Sequence, residues 1–344
     1  MAPVVRALKG FGHHPDVIAF GQHTDLLRSH LAEEKIRPRN VCEIERDSLS
    51  GLVAAALHCG EVYLDPERHG LVLVQGDTTT AMAAALAAFH LEILIGHVEA
   101  GLRTGNLAAP FPEEANRKII AQIARLHFAP NHSARMNLHD DGIGYDGRVH
   151  VTGNTVVDAL KAALKRRPSR IVRTWLRPFQ QTHAPYILVT CHRREGWRTY
   201  IPALTDLVRK LPTPCVWPAH PNPEIQQALG LKSLHAVPGA SGAIGHVDFV
   251  HLLKHAALVI TDSGGVIEEA AVLGKRTLIV RGETERWEAI EMGGAKLIAP
   301  DQLKHLSKEI AAALKARPPK PVYAFGDGKA GERIARICLK FLRS

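Results

Sequence analysis

Short apolar runs recur along this chain. Each is followed by a polar, glycine-bearing turn and then by a segment with helical spacing. Val17–Phe20, Leu71–Val74, Glu92–Ile95, His127–Ala129 and Val149–Thr152 make a first series. Tyr186–Thr190, Cys215–Pro218, Leu258–Thr261 and Thr277–Val280 make a second. Runs of this length bounded by turn residues predict strands. Their alternation with helical segments such as Ala81–Phe89 and Val266–Leu273 predicts parallel sheets covered on both faces. The fold class expected is α/β, with two doubly wound, Rossmann-like domains facing a cleft. The Arg/Lys/Pro-rich stretch Lys165–Pro178 separates the two series. It sets an N-terminal domain at 1–160 and a C-terminal domain at 161–326. A final amphipathic helix within 327–344 is expected to pack back toward the first domain.

The 344 residues suit about two domains. The longest apolar run, Ala81–Gly96, is interrupted by His90 and Glu92, so no membrane span is expected. The first residues carry no signal-peptide core. Five scattered cysteines, an odd number without a C-x-x-C pair, favour reduced cytoplasmic thiols over a disulfide scaffold or a zinc site. The net charge of +9 suits an anionic ligand. Taken alone, a solvated basic surface explains that charge better. The one dense basic run, Lys161–Arg177, has few aromatics to stack on bases, so no nucleic-acid partner is expected.

Candidate chemistry gathers where the strands end, which is where open parallel sheets bind ligands. Thr261-Asp262-Ser263-Gly264-Gly265 joins an apolar strand to a helix. The unpaired N–H groups and dipole of that helix start suit a phosphate, and Glu268-Glu269 one turn later suits ribose-like hydroxyls. An ordinary turn capped by Ser263 is the plain alternative. Asp77, in Gly76-Asp77-Thr78-Thr79-Thr80, is either a carboxylate for chemistry or a helix N-cap. His97, Glu99 and Arg103 follow a strand closely and are hard to explain as packing. Glu113 and Arg117 stand four apart, as a surface ion pair or as part of a site. His192, beside Arg193 and Arg194 at a strand end, suits a pyrophosphate, and Arg286 follows another strand. The first domain thus offers carboxylates for proton chemistry, and the second offers anion holders.

These residues resemble the bacterial non-hydrolysing UDP-N-acetylglucosamine 2-epimerases. The resemblance spans nearly the whole chain. It is carried by the blocks 76–80, 96–105, 112–117, 152–156, 192–195, 261–265 and 284–286. It implies a glycosyltransferase-B-like architecture and epimerisation at C2 of UDP-N-acetylglucosamine by elimination and re-addition of UDP through a 2-acetamidoglucal. By resemblance, Asp77, Glu99 and Glu113 move protons or orient the sugar, with the base unassigned, and His192 lies near the diphosphate. Ser263, Gly264 and Gly265 would hold phosphate, Glu269 ribose, Phe249 the uracil, and Arg286 the sugar or phosphate. Arg117 would orient Glu113 or reach the substrate. No cofactor and no metal are implied. The expected partners are a UDP-sugar and a second copy in a homodimer, in the cytoplasm. The same chemistry on a diacetamido-uronic acid sugar, or an inactive UDP-sugar-binding remnant, are the alternatives.

Departures from the family pattern are Cys191 for a glycine, Trp287 for a proline, and Asp47 where a glutamine helps bind a regulatory UDP-GlcNAc. The family's first strand, with its Gly-Thr-Arg-Pro-Glu loop, is expected to be lacking.

Overall fold

The computed structural model describes residues 1–21, 24–44, 48–192, 196, 199–218 and 244–343. The sequence features at Gln22-His23, Arg46-Asp47 and Arg193-Arg194-Glu195 lie outside them. The chain forms two units, Met1–Ala159 with Phe325–Ser344, and Leu160–Ala324.

In the first unit, strands β3 (Leu71–Gln75), β4 (Leu94–Val98), β5 (Leu126–Ala129) and β6 (Val149–Val151) form a parallel sheet in that order. Strands β1 (Ile18–Gly21) and β2 (Asn40–Glu43) form a separate parallel pair. One core cluster joins Val74 and Ile95 to the alanine-rich helix Thr79–His90. Its small side chains admit close approach by the helix Leu49–Tyr63: a β-carbon on Gly60 would lie 2.5 Å from Ala87 Cβ. Another cluster joins Val98, Leu126 and Phe128 to Val4 and Leu8 of the first helix and Ile334, Ala335 and Cys338 of the last. Asp158 accepts the Ala330 and Gly331 N–H groups at the start of that last helix.

The second unit carries β7 (Ile187–Thr190), β8 (Cys215–Val216), β9 (Leu258–Thr261), β10 (Thr277–Val280) and β11 (Ala295–Ile298). They form one parallel sheet ordered β11-β10-β9-β7-β8. All residues of β9 and β10 are buried, as a sheet covered on both faces requires. Ile187, Val189 and Ile260 face one cluster; Leu188, Val259 and Tyr186 face the other. The chain lays β8 on one side of β7 and then β9 on the other. That reversal makes the carboxyl ends of β7 and β9 the switch point of the sheet, where its loops diverge and leave a crevice.

Several boundaries differ from the sequence expectation. Glu92 occupies a left-handed turn (φ 58°), so β4 starts at Leu94 and runs through His97 and Val98, which pair with β5. Strands β2 and β11 had no clear apolar signature; each has one buried residue, Cys42 and Ile298, beside partly buried and exposed ones. Among the cysteines, Cys42 and Cys59 are joined, which corrects the expectation of reduced thiols for that pair. Cys191, Cys215 and Cys338 are free and buried.

His97 on β4 and His127 on β5 are register partners, and both are fully buried. Burial, the first cause in each case, pushes His97 down to about 4 and His127 to about 3. In the unfolded chain both rings take up a proton below about pH 6.5, whereas the folded rings stay neutral. The stability present above pH 6.5 is therefore lost as the pH falls toward 4, by up to about 1.4 kcal/mol per pH unit for each ring. We expect urea midpoints to drop between pH 7 and pH 5, and His127→Leu to flatten that drop. A wild-type midpoint that holds constant over this range contradicts the account.

Candidate active site

Asp77 and Glu99 stand just past the ends of β3 and β4. Asp77 follows β3 directly. It is not the cap of the next helix, because Thr78 Oγ1 accepts the Ala81 N–H at 3.2 Å and serves that role. The Asp77 carboxylate is therefore left for Arg117, whose Nη2 donates to Oδ2 at 2.5 Å. The backbone carbonyl of Asp77 accepts from Asn116 Nδ2 at 2.9 Å. Arg117 is 3% exposed and also donates to Glu114 Oε2 at 3.1 Å. Glu114 has no exposed surface, and its two oxygens accept the N–H groups of Thr104 and Gly105. The expectation for Arg117 was either to pair with Glu113 or to reach the substrate. The structure gives it Glu114, three residues away and on the inner side of the helix Glu113–Ile123, together with Asp77.

Glu99 follows β4 in a left-handed conformation (φ 66°), which a side chain bearing a β-carbon adopts only under constraint. Its Oε1 accepts from Asn154 Nδ2 at 3.2 Å. Its Oε2 lies 3.5 Å from Gln75 Nε2. Glu113 opens the helix that carries Arg117. Its Oε2 is buried without a hydrogen-bond partner, an acceptor whose capacity is left unmet. Sequence reasoning missed Glu114 and Asn154 as supports. Both stand in blocks already singled out, but nothing in the sequence distinguished the buried Glu114 from its neighbour.

In the second unit, His192 follows β7 and Asp262 follows β9, at the switch point. The Asp262 carboxylate has no exposed surface. It accepts the His192 backbone N–H at 2.8 Å and the Tyr200 hydroxyl at 3.0 Å, and lies 3.9 Å from His192 Nδ1. It therefore fixes the loop that carries His192, whose side chain is 38% exposed. Ser263 opens the helix Gly264–Val272 and makes no cap bond, so the plain alternative of an ordinary capped turn does not hold. Instead, Ser263 N–H donates to Thr261 Oγ1 at 3.0 Å. Gly264 lets a guanidinium lie against the helix start: a β-carbon there would sit 3.1 Å from Arg286 Cζ.

Arg286 is 4% exposed and bonded to Glu268 at 2.6 Å and Glu285 at 2.8 Å, while Glu285 also pairs with Arg281 at 3.0 Å. These arginines and glutamates pair with one another, and the dipole of the helix start adds a positive field at Ser263–Gly265. Glu269, 3% exposed, meets His246 Nε2 at 2.7 Å. His246 was not foreseen. Phe249, three residues on, is partly buried against the core. Among the described residues, no group of histidine, cysteine and acidic side chains could hold a metal ion, and no helix is long and apolar enough to cross a membrane.

Paired parallel α/β units, with carboxylates at the strand ends of one and an uncapped helix start at the switch point of the other, define a protein of the glycosyltransferase-B-like class. The family model described as UDP-N-acetylglucosamine 2-epimerase matches residues 6–339. A UDP-N-acetylglucosamine 2-epimerase of Yersinia pestis is 36% identical over 98% of this chain and 94% of its own length. The structure of the Neisseria meningitidis UDP-GlcNAc 2-epimerase bound to UDP-GlcNAc superposes with a TM-score of 0.86 at 34% identity, covering 99% of this chain and 96% of that one. An S. aureus MnaA–UDP co-structure gives 0.86 at 32% identity, over 100% and 93%. The chain belongs to the UDP-N-acetylglucosamine 2-epimerase family.

The buried Arg117 leads to a stability prediction. Arg117→Met leaves Glu114 buried without its cation and should cost about 3–5 kcal/mol in urea unfolding. Adding Glu114→Gln should recover part of that loss. A double variant no more stable than Arg117→Met alone would mean that Glu114 carries no uncompensated charge.

Proposed function

We propose that this protein interconverts UDP-N-acetylglucosamine and UDP-N-acetylmannosamine by eliminating UDP and adding it back. The Ser263–Gly265 helix start takes the diphosphate, with His192 beside it. Glu269 takes ribose hydroxyls, Phe249 the uracil, and Arg286 supports the glycine turn from beneath. Asp77, Glu99 and Glu113 act on the sugar. A base removes the C2 proton while the C1–O bond breaks. The C2–H electron pair becomes the C1=C2 bond of a glycal, and the C1–O pair leaves with UDP. Return of a proton to the opposite face of C2, with the diphosphate oxygen rejoining C1, gives the epimer.

The observation that carries this reading is the buried Oε2 of Glu113, which makes no hydrogen bond, whereas the carboxylates of Asp77 and Glu99 are held by other groups. Asp77 is committed to Arg117 and Glu99 to Asn154, so Glu113 is the residue we assign to the C2 proton.

In deuterated water, the enzyme should introduce deuterium at C2 of UDP-N-acetylglucosamine as the manno product forms. Glu113→Gln should slow that exchange by about 10²-fold or more while UDP still binds. Product formation without C2 exchange would overturn the elimination mechanism, and full exchange in Glu113→Gln would remove its role.

A cytoplasmic homodimer is proposed as the working form. Exposed Phe89 and Leu94 border a groove of about 560 Å³ whose rim also carries Glu92, Arg125 and Arg148, and exposed Ile119 lies on the helix that lines it; this mix of apolar and charged groups suits a second copy. Light scattering on the wild type should give twice the mass of the chain, and Phe89→Glu should give the mass of one chain. A monomeric wild type refutes the dimer, and a dimeric Phe89→Glu refutes this surface.

A further inference from the structure

The motif around His97 has not been absorbed by the roles above, although its ring reaches the base of the carboxylate cluster. His97 Nε2 lies 2.8 Å from the carbonyl oxygen of Gly76. Gly76 has a left-handed backbone (φ 73°), and its own N–H donates to Val98 O at 3.0 Å. Gly76, the residue just before Asp77, is therefore held from β4 at both its N–H and its carbonyl, by the backbone through Val98 and by a side chain through His97. The Asp77 carbonyl and carboxylate are then fixed from the helix Glu113–Ile123 by Asn116 and Arg117. The Gly76 carbonyl is a further handle on that turn, and His97 holds it.

We propose that His97 is a positioning residue for the epimerisation: its Nε2–H, donated to Gly76 O, sets the direction in which Asp77 is presented to the sugar. The inference rests on the reading of Asp77 given above. A carbonyl oxygen accepts and cannot donate, so the bond requires the proton on Nε2. Burial keeps the ring neutral far below working pH, so one proton and one tautomer serve throughout. The ring does not shuttle protons; it holds a backbone group still. Displacements of about 1 Å in a reacting group cost as much as 10²-fold in rate, which makes such a hold worth a buried histidine.

Two substitutions separate this role from simple packing. His97→Phe keeps a ring of similar size and loses the donor; His97→Gln places an amide N–H near the former Nε2. Steady-state kinetics with UDP-N-acetylglucosamine should show kcat falling about tenfold or more in His97→Phe, with KM within about twofold. His97→Gln should return kcat to within about threefold of wild type. UDP affinity, measured by calorimetry, should stay unchanged in both. Wild-type kcat in His97→Phe, or a His97→Gln no better than His97→Phe, overturns the proposal.

A third measurement uses the wild type alone and stands even if the variants do not fold. Nitrogen-15 spectra of the labelled histidines should show His97 protonated on Nε2 and bare on Nδ1 from pH 6 to pH 9; the opposite tautomer overturns the proposal. Failure of the wild type to exchange the C2 proton would instead strike the catalytic reading, so the two can fail separately.

Discussion

One buried guanidinium organises the acidic half of this protein. Arg117 sits almost without solvent between Asp77, from the turn after β3, and Glu114, from its own helix. A buried arginine is tolerable only when its charge is matched, and the two carboxylates match it from opposite sides. Glu114 in turn ties down the N–H groups of Thr104 and Gly105, so the chain leaving β4 is bound to the same point. The turn after β3, the loop after β4 and the start of the helix Glu113–Ile123 thus share one electrostatic anchor. Glu113 and Glu99 are presented from elements that this anchor fixes.

The second unit solves the opposite problem. It must hold negative charge, and its buried Arg281 and Arg286 are paired with Glu268 and Glu285. Peptide dipoles at an uncapped helix start, placed where the strand order reverses, add a positive field there. Asp262 fills the space below that start and accepts from both the His192 backbone and Tyr200, so the two loops at the switch point are held as one. Preorganised dipoles cost no rearrangement when charge develops on a leaving oxygen.

The two buried histidines of the first sheet show how function and stability intersect. A neutral imidazole in a core is a liability in acid. His97 and His127 nonetheless occupy neighbouring register positions in the middle of the sheet. For His97 the return is visible in its bond to Gly76. For His127 the structure offers no such explanation.

The sequence by itself determined the α/β class, most strand positions and the loops that carry polar groups. Those signals are local: apolar runs of strand length, glycine turns and helical spacing survive in one dimension. It also determined which blocks contain Asp77, Glu99, Glu113, His192 and Ser263–Gly265. Tertiary structure alone decided which neighbours they meet. Glu113 and Glu114 are adjacent and chemically alike, and both can lie within reach of Arg117 on one helix. Only the location of Asp77 and of the Thr104–Gly105 backbone makes Glu114 the buried partner and leaves Glu113 with a buried oxygen that makes no hydrogen bond. The N-cap of the helix Thr79–His90 was likewise undecidable between Asp77 and Thr78 until Arg117 claimed the aspartate. The bond between Cys42 and Cys59 depends on β2 meeting the helix Leu49–Tyr63, a contact that spacing along the chain does not encode. Charge pairing and burial are properties of the assembled surroundings, and those exist only once the elements have packed.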